Sequence, residues 1–421
     1  MNAHAPSGPR TDPAFSPGAD ASRPAGTLVL IGGALDESAE ILSRIVALAD
    51  ARRASGAPRI AILTTASAPA PSAAAAADPG LENDAADGQY YVELFARHGA
   101  IGLPIPVGAS AAPPYPGAEY HAARADDPAV AELVRSADGI FLGGGDQNHY
   151  VRALFRGTDP ATGARSETAV LTALREVLDR GGVVAGTSAG LAVQQGAHMV
   201  SGGADIHTAW VHGAAPGSER DIGGVEALSY DPLGGLGLFP EALLDSHFSE
   251  WGRPARAIRL TRDTDRRRCI GVDEHTAFVY DRASRVAEVV GLRGVSFIDL
   301  DGAEGRGDSV LGTRWSYLVP GDRHDFATGV TLRGERTAEL SLAGTALTAA
   351  TDIWADDGSR PLLALAQRLL ASSDSTARGE SAGDRAPRYR TSLHRDERTT
   401  ALPTGGFAEL IISITPTHPT H

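Results

Sequence analysis

The sequence of 421 residues contains no lysine, so all 38 of its basic residues are arginine. Set against 52 acidic residues, they leave a net charge of −14. A chain of that sign repels phosphate backbones. No arginine-rich run carries interleaved aromatics, which argues against nucleic acid as a partner. Cysteine is reduced to Cys269. A lone thiol forms no internal disulfide and no paired-cysteine metal knuckle, and after the arginine run "DRRRC" it reads as a small core residue. No stretch of about 18 apolar residues is present, so no membrane helix is expected. The first 26 residues, rich in Pro, Gly, Ala and Ser, lack the apolar core of a secretory signal. They predict a flexible tail over 1–26 and a cytoplasmic protein.

What is present is ordinary for a soluble globular chain: 42% hydrophobic and 21% charged residues, long enough for a sizeable core. Short apolar runs alternate with helical patterns. "TLVLI" precedes "AEILSRIVALADARR", "RIAIL" and "GLPIPV" flank the amphipathic "QYYVELFARHGA", and "GIFLGGGDQ" and "VVAGTSAG" flank "ETAVLTALREVLDRGG". Nearly continuous apolar strands of this kind predict an α/β fold with a mostly parallel sheet and helices on both faces. In such sheets chemistry gathers beyond the carboxyl ends of the strands. After about residue 300 short strands and turns dominate. The expected organisation is a main domain over 27–300 and a β-rich extension over 301–421, interrupted by a polar loop around 371–400.

The run "VVAGTSAGLAV" fits G-x-S-x-G, with a buried strand before Ser188 and a helix-compatible segment after it. Gly186 and Gly190 leave room for a sharp turn that projects the hydroxyl, and the amide of Ala189 at the helix start faces a developing oxyanion. A helix-capping serine explains the same pattern equally well. A serine nucleophile requires a base, and the base an orienting acceptor. Among the 13 histidines, His247 stands at the end of an apolar run in "LLDSHFSEW", expected to leave the same sheet edge as Ser188. Carboxylates follow in "CIGVDEHTAF". The order Ser, His, acid is not that of an α/β-hydrolase.

"LVLIGGALDES", "FLGGGDQ", "VVAGTSAG", "GGLGLFPEALLDSHF" and "GVDEHTAF", in this order, resemble the cyanophycinase family of serine peptidases, which also contains the aspartyl dipeptidases. The likeness covers roughly residues 27 to 300. It implies a fold similar to class I glutamine amidotransferases and a triad of Ser188, His247 and Glu274. It further implies an oxyanion hole made by the Gly145 and Ala189 amides, and Gln147 as a substrate contact. The implied reaction is hydrolysis of aspartyl bonds through an acyl-enzyme, with an aspartyl-arginine polymer or dipeptide as substrate, no cofactor, and a homodimer as the commonest assembly.

The family's "DQHFxxRxRxxRL" stands here as "DSHFSEWGRPARAIRL". Arg253 and Arg256 match two of its arginines, and would receive aspartyl carboxylates or form a solvated helix face. Ser246 and Trp251 depart from it. Asp245 is either structural or a receptor for a substrate guanidinium. His207 and His212, with His198 nearby, lack metal-site spacing, and no metal is expected. Two rivals remain on the sequence alone, an α-aspartyl dipeptidase and a non-catalytic amidotransferase-like binding module.

Overall fold

The computed structural model describes residues 25–417 apart from 52, 54, 159–162, 219, 335–351, 384 and 403, so the tail expected over 1–26 falls almost wholly outside the described residues. Five apolar runs lie side by side as parallel strands, in the order Ile101–Pro104, Arg59–Leu63, Gly139–Leu142, Val183–Thr187 and Thr27–Ile31. Beyond Thr27–Ile31 the sheet continues antiparallel through Thr276–Asp281, Val286–Gly291, Arg323–Asp325 and Val330–Leu332.

Side chains alternate along a strand, so each strand serves both faces. On one face Val29, Ile31, Ile60 and Ile62 pack with Ile41 and Ile45 of helix Ala39–Asp50 and Phe95 of helix Asp84–Arg97. On the other, Leu28, Leu30, Ala61 and Leu63 meet Val130 and Val134 of helix Pro128–Arg135 and Leu171 and Leu174 of helix Ala169–Asp179. Each of the Val, Leu, Ile and Phe side chains, removed from water, contributes about 1.5–3 kcal/mol. The helix starts agree with the sequence: Asp127 and Thr168 accept the backbone N–H of Ala129 and Leu171. The α/β architecture, with helices on both faces of a large parallel sheet, is as expected.

A second sheet runs Leu243–Asp245, Arg268–Val272, Val295–Asp299, Ser309–Leu318, Phe407–Pro416, Tyr389–His394 and Thr376–Glu380. The first pair is parallel and the others antiparallel. One of its faces, with Leu244, Ile270, Val272, Val295 and Phe297, joins the core of the first sheet. The other packs on Trp210, Phe248, Ile258, Trp354 and Leu365.

Two expectations are corrected here. The boundary near residue 300 does not separate the sheets: the second sheet takes strands from both sides of it, and Arg323–Asp325 returns to the first. Apolar alternation marks a strand but not the sheet it joins. The stretch 371–400 is not a loop, for it holds Thr376–Glu380 and Tyr389–His394. "TARGE" reads as polar because Ala377 and Gly379 alone face inward, the pattern of a strand with one face in water.

Candidate functional site

The strand Val183–Thr187 is buried throughout and ends at Ser188. Two glycines make the turn after it: a Cβ on Gly186 would stand 2.1 Å from the Gly190 carbonyl oxygen, and one on Gly190 2.1 Å from that of Leu142. Ser188 itself has φ 53° and ψ −111°, and its N–H donates to the Ile31 carbonyl over 3.0 Å. A non-glycine residue held at positive φ costs on the order of 1–3 kcal/mol, and persists where the surroundings over-determine it. Ser188 precedes the single turn Ala189–Ala192, shorter than the helix its sequence suggested, and its side chain makes no capping bond. The hydroxyl lies instead 2.9 Å from His247 Nε2.

His247 and Glu274 reach Ser188 from elsewhere than expected. His247 follows Leu243–Asp245 of the second sheet, and Glu274 lies where the chain passes from Arg268–Val272 in the second sheet to Thr276–Asp281 in the first. The three side chains therefore meet at the junction of the sheets, and not on one edge. The His247 N–H donates to the Gly32 carbonyl over 2.7 Å, and the His275 N–H to that of Gly33 over 3.0 Å, which ties both approaching segments to the end of Thr27–Ile31. Gly33, at φ 128°, has no room for a side chain: a Cβ would sit 2.1 Å from His247 Cε1.

His247 Nδ1 lies 2.9 Å from Glu274 Oε1. A carboxylate only accepts, so Nδ1 carries the proton and Nε2 is left to accept from the Ser188 hydroxyl. Burial holds the His247 pKa below its ordinary value; the bond to Glu274 works against this and the Arg253 charge works with it. Burial alone would favour the acid form of Glu274, but the bond to His247, then the charges of His247 and Arg293, bring its pKa below the usual range. At neutral pH the pair is thus a neutral imidazole on a carboxylate.

Behind Glu274 stands Glu250, only 1% exposed. Its Oε2 accepts the Glu274 N–H over 3.1 Å, and its Oε1 accepts from Arg293 Nη1 over 2.7 Å. The same nitrogen of Arg293 lies 3.4 Å from Glu274 Oε2. One buried carboxylate thereby fixes both the backbone of Glu274 and the cation that faces its second oxygen.

Gly145 (φ 126°), Ser188, Ala189 and Gln147 line one cleft of about 300 Å³. Neither the Gly145 N–H nor the Ala189 N–H donates to any of the described residues. Two unpaired amides beside a hydroxyl are what an oxyanion hole requires. The side-chain amide of Gln147 donates to the Val200 carbonyl over 2.7 Å, at the cleft wall.

Asp245, Arg253 and Arg256 also border the cleft, in a buried cluster. Arg256 grips Asp245 with two bonds, Nε to Oδ2 at 2.9 Å and Nη2 to Oδ1 at 2.6 Å, and donates to the Gly203 carbonyl at 2.8 Å. Arg253 Nη1 reaches Asp245 Oδ1 at 3.2 Å and the Ser246 carbonyl at 2.7 Å. The solvated helix face considered for these arginines is not what forms. Asp245 is bonded to two cations of its own chain. Trp251, 40% exposed at the cleft, stacks on the His247 ring with centroids 4.4 Å apart and planes at 21°.

Of the three histidines weighed for a metal, His198 accepts from Arg266 Nε over 2.9 Å, and His207 lies 2.8 Å from the Pro387 carbonyl. Among the described residues no group of three potential metal ligands occurs, and no helix is long and apolar enough to cross a membrane. Cys269 is buried, as expected. Sequence reasoning missed Glu250, Arg293 and the steric role of Gly33. "HFSEW" places Glu250 three residues after His247, but nothing in the pattern shows which way that side chain turns.

A hydroxyl, an imidazole and a carboxylate bonded in series, beside free amides, have the geometry of a candidate acyl-transfer centre. Among the curated proteins that this chain resembles are cyanophycinases. Those of Trichormus variabilis and a Nostoc species are each 33% identical over 172 residues, 40% of this chain and 48% of theirs. That of Geminocystis herdmanii is 31% identical over 175 residues, 41% of this chain and 54% of its own. The chain spans about half the length of the curated relatives it matches. No family model matches it. Among solved structures, a peptidase from an acI-B1 Actinobacterium aligns with a TM-score of 0.46 at 19% identity, over 72% of this chain and 98% of that one.

Proposed function

We propose that this protein is a serine-type peptidase that hydrolyses aspartyl bonds, acting on multi-L-arginyl-poly-L-aspartate to release β-aspartyl-arginine dipeptides, on a fold akin to class I glutamine amidotransferases. The observation that carries the reading is the bonded series Ser188, His247, Glu274, with both intervals at 2.9 Å. The similarity to cyanophycinases supports the substrate.

His247 Nε2 takes the Ser188 proton as the oxygen attacks the scissile carbonyl. The negative charge that develops on the carbonyl oxygen is received by the Gly145 and Ala189 amides. Collapse breaks the C–N bond, and the imidazolium returns its proton to the leaving amine. Water, deprotonated by His247, then releases the acyl group from Ser188. Glu274 keeps the proton on Nδ1 and stabilises the imidazolium. Arg253 and Arg256, fixed by Asp245, present positive charge to substrate carboxylates at the cleft wall.

The test is incubation of the purified chain with cyanophycin, β-aspartyl-arginine peptides and α-aspartyl dipeptides, followed by product analysis. Ser188→Ala is expected to lower the rate by about 10³-fold or more. Cleavage that survives Ser188→Ala, or no cleavage of any of the three, removes the assignment. Cleavage of α-aspartyl dipeptides alone keeps the mechanism and replaces the substrate.

A further inference from the structure

Among the described residues Trp251 is one of the large apolar side chains left exposed. Its position is set by backbone. The Trp251 N–H donates to the His247 carbonyl over 3.1 Å, and the next residue, Gly252, turns at φ 58° against the Trp354 carbonyl. This brings the indole onto the imidazole, at 4.4 Å and 21°. The same indole also carries a permanent cation, for Arg253 Cζ stands 4.5 Å from its ring centroid. Bonds from Nη1 to Asp245 and Ser246 fix that guanidinium.

The charged groups facing the imidazole are Glu274, Arg253 and Asp245, and the backbone beneath it is that of uncharged Gly33. Asp245 is already matched by Arg256 and Arg253. When Ser188 gives up its proton, a second positive charge appears beside Arg253, on a ring whose direct carboxylate partner is Glu274. The negative face of an indole attracts a cation, by more when water is excluded. A ring packed flat against the imidazole also restricts its rotation away from Ser188.

We propose that Trp251 is a positioning residue for the base: its indole holds the His247 ring in line with Ser188 and stabilises the imidazolium formed during acyl transfer. The proposal rests on the serine-peptidase reading for its kinetic part. Its electrostatic part needs no substrate.

Two variants separate the aromatic face from mere bulk. Trp251→Leu keeps an apolar side chain and loses the π face; Trp251→Phe keeps a smaller one. The His247 pKa is read by NMR titration of the ring nitrogens in each full-length protein. The acid limb of kcat/KM, and kcat and KM separately, are read on the substrate that the natural chain cleaves. Trp251→Leu is expected to lower the His247 pKa by roughly half a pH unit and kcat by about threefold to tenfold, with KM nearly unchanged, and Trp251→Phe to recover most of both. A His247 pKa that stays or rises in Trp251→Leu overturns the proposal. So does a lowered pKa with unchanged kcat, or a Phe variant as impaired as the Leu variant. Failure of the peptidase reading shows separately, as activity indifferent to Ser188→Ala.

Discussion

Tyr317 donates its hydroxyl hydrogen to Asp273 Oδ2 across 2.7 Å in the protein interior. Tyr317 belongs to Ser309–Leu318, and Asp273 directly precedes Glu274, so a strand from beyond residue 300 supports the backbone that carries the proposed triad acid. The β-rich part of the chain is in this sense part of the site. Burial, followed by the charge of Glu250, pushes the Asp273 carboxyl up to about 7.

That shift has a sign. A carboxyl whose folded pKa lies above its unfolded value of 3.8 contributes stability that is full below that value and is lost as pH rises through about 7. Asp273→Asn removes the titration. Urea unfolding between about pH 4 and 8 should show the midpoint falling less steeply in Asp273→Asn than in the natural chain. An equal or steeper fall would contradict this account of Asp273.

The pH dependence of activity follows from His247. With its pKa held below the ordinary 6.5, chiefly by burial, the acid limb of kcat/KM is expected below pH 6.5. Glu274→Gln removes the bond that favours the imidazolium, and should move the limb further down while lowering kcat by about 10²-fold or more. A limb moving upward in Glu274→Gln would separate Glu274 from the base.

Gly33→Ala tests the close contact beneath the imidazole. The added Cβ would stand 2.1 Å from His247 Cε1, so the ring must leave its present position between Ser188 and Glu274. Misplacement on this scale should cost at least about tenfold in kcat. Gly99→Ala is the control, since Gly99 has a positive φ of 84° but open space around its Cβ position. It should lose about 1 kcal/mol of stability in denaturant unfolding and keep full activity. Equal loss of activity in both variants would mean that backbone strain alone is responsible.

Asp245 and Arg256 form a buried pair, 3% and 5% exposed. Removing Arg256 leaves Asp245 with the 3.2 Å contact to Arg253 as its ion pair, and Arg256→Ala should destabilise by up to about 3 kcal/mol. The double variant Asp245→Asn, Arg256→Ala should lose less than the sum of the two singles. A double-mutant cycle by chemical denaturation measures the coupling, and additive losses would show that the pair does not act as a unit.

Much of the fold was legible. Nearly continuous apolar strands such as "TLVLI" and "RIAIL", divided by amphipathic helices, are what a parallel sheet covered on both faces imposes on a sequence. Ser188 and His247 could be singled out because each stands where an apolar run stops; the choice of Glu274 over the adjacent Asp273 came from the family resemblance, and the structure brings the three side chains together. What could not be read was the sheet to which each run belongs. "ALLD" and "RCIGV" look like further members of the first sheet, yet they build the second, because partner choice depends on crossovers that local pattern does not encode. The brace of Glu250 and Arg293 was hidden for a related reason: 43 residues separate them in sequence, and only the tertiary fold makes them neighbours.

The seam between the two sheets has a further consequence. Ser188 hangs from one sheet, and its proposed partners come from the other and from the crossing between them. The proposed hydrolysis would therefore gauge how well the two packed sheets are seated on one another. A slip of a few tenths of an ångström at that seam would stretch the 2.9 Å contact between hydroxyl and imidazole while leaving both cores buried. Under mild denaturant the proposed activity is then expected to be lost before the fold unfolds.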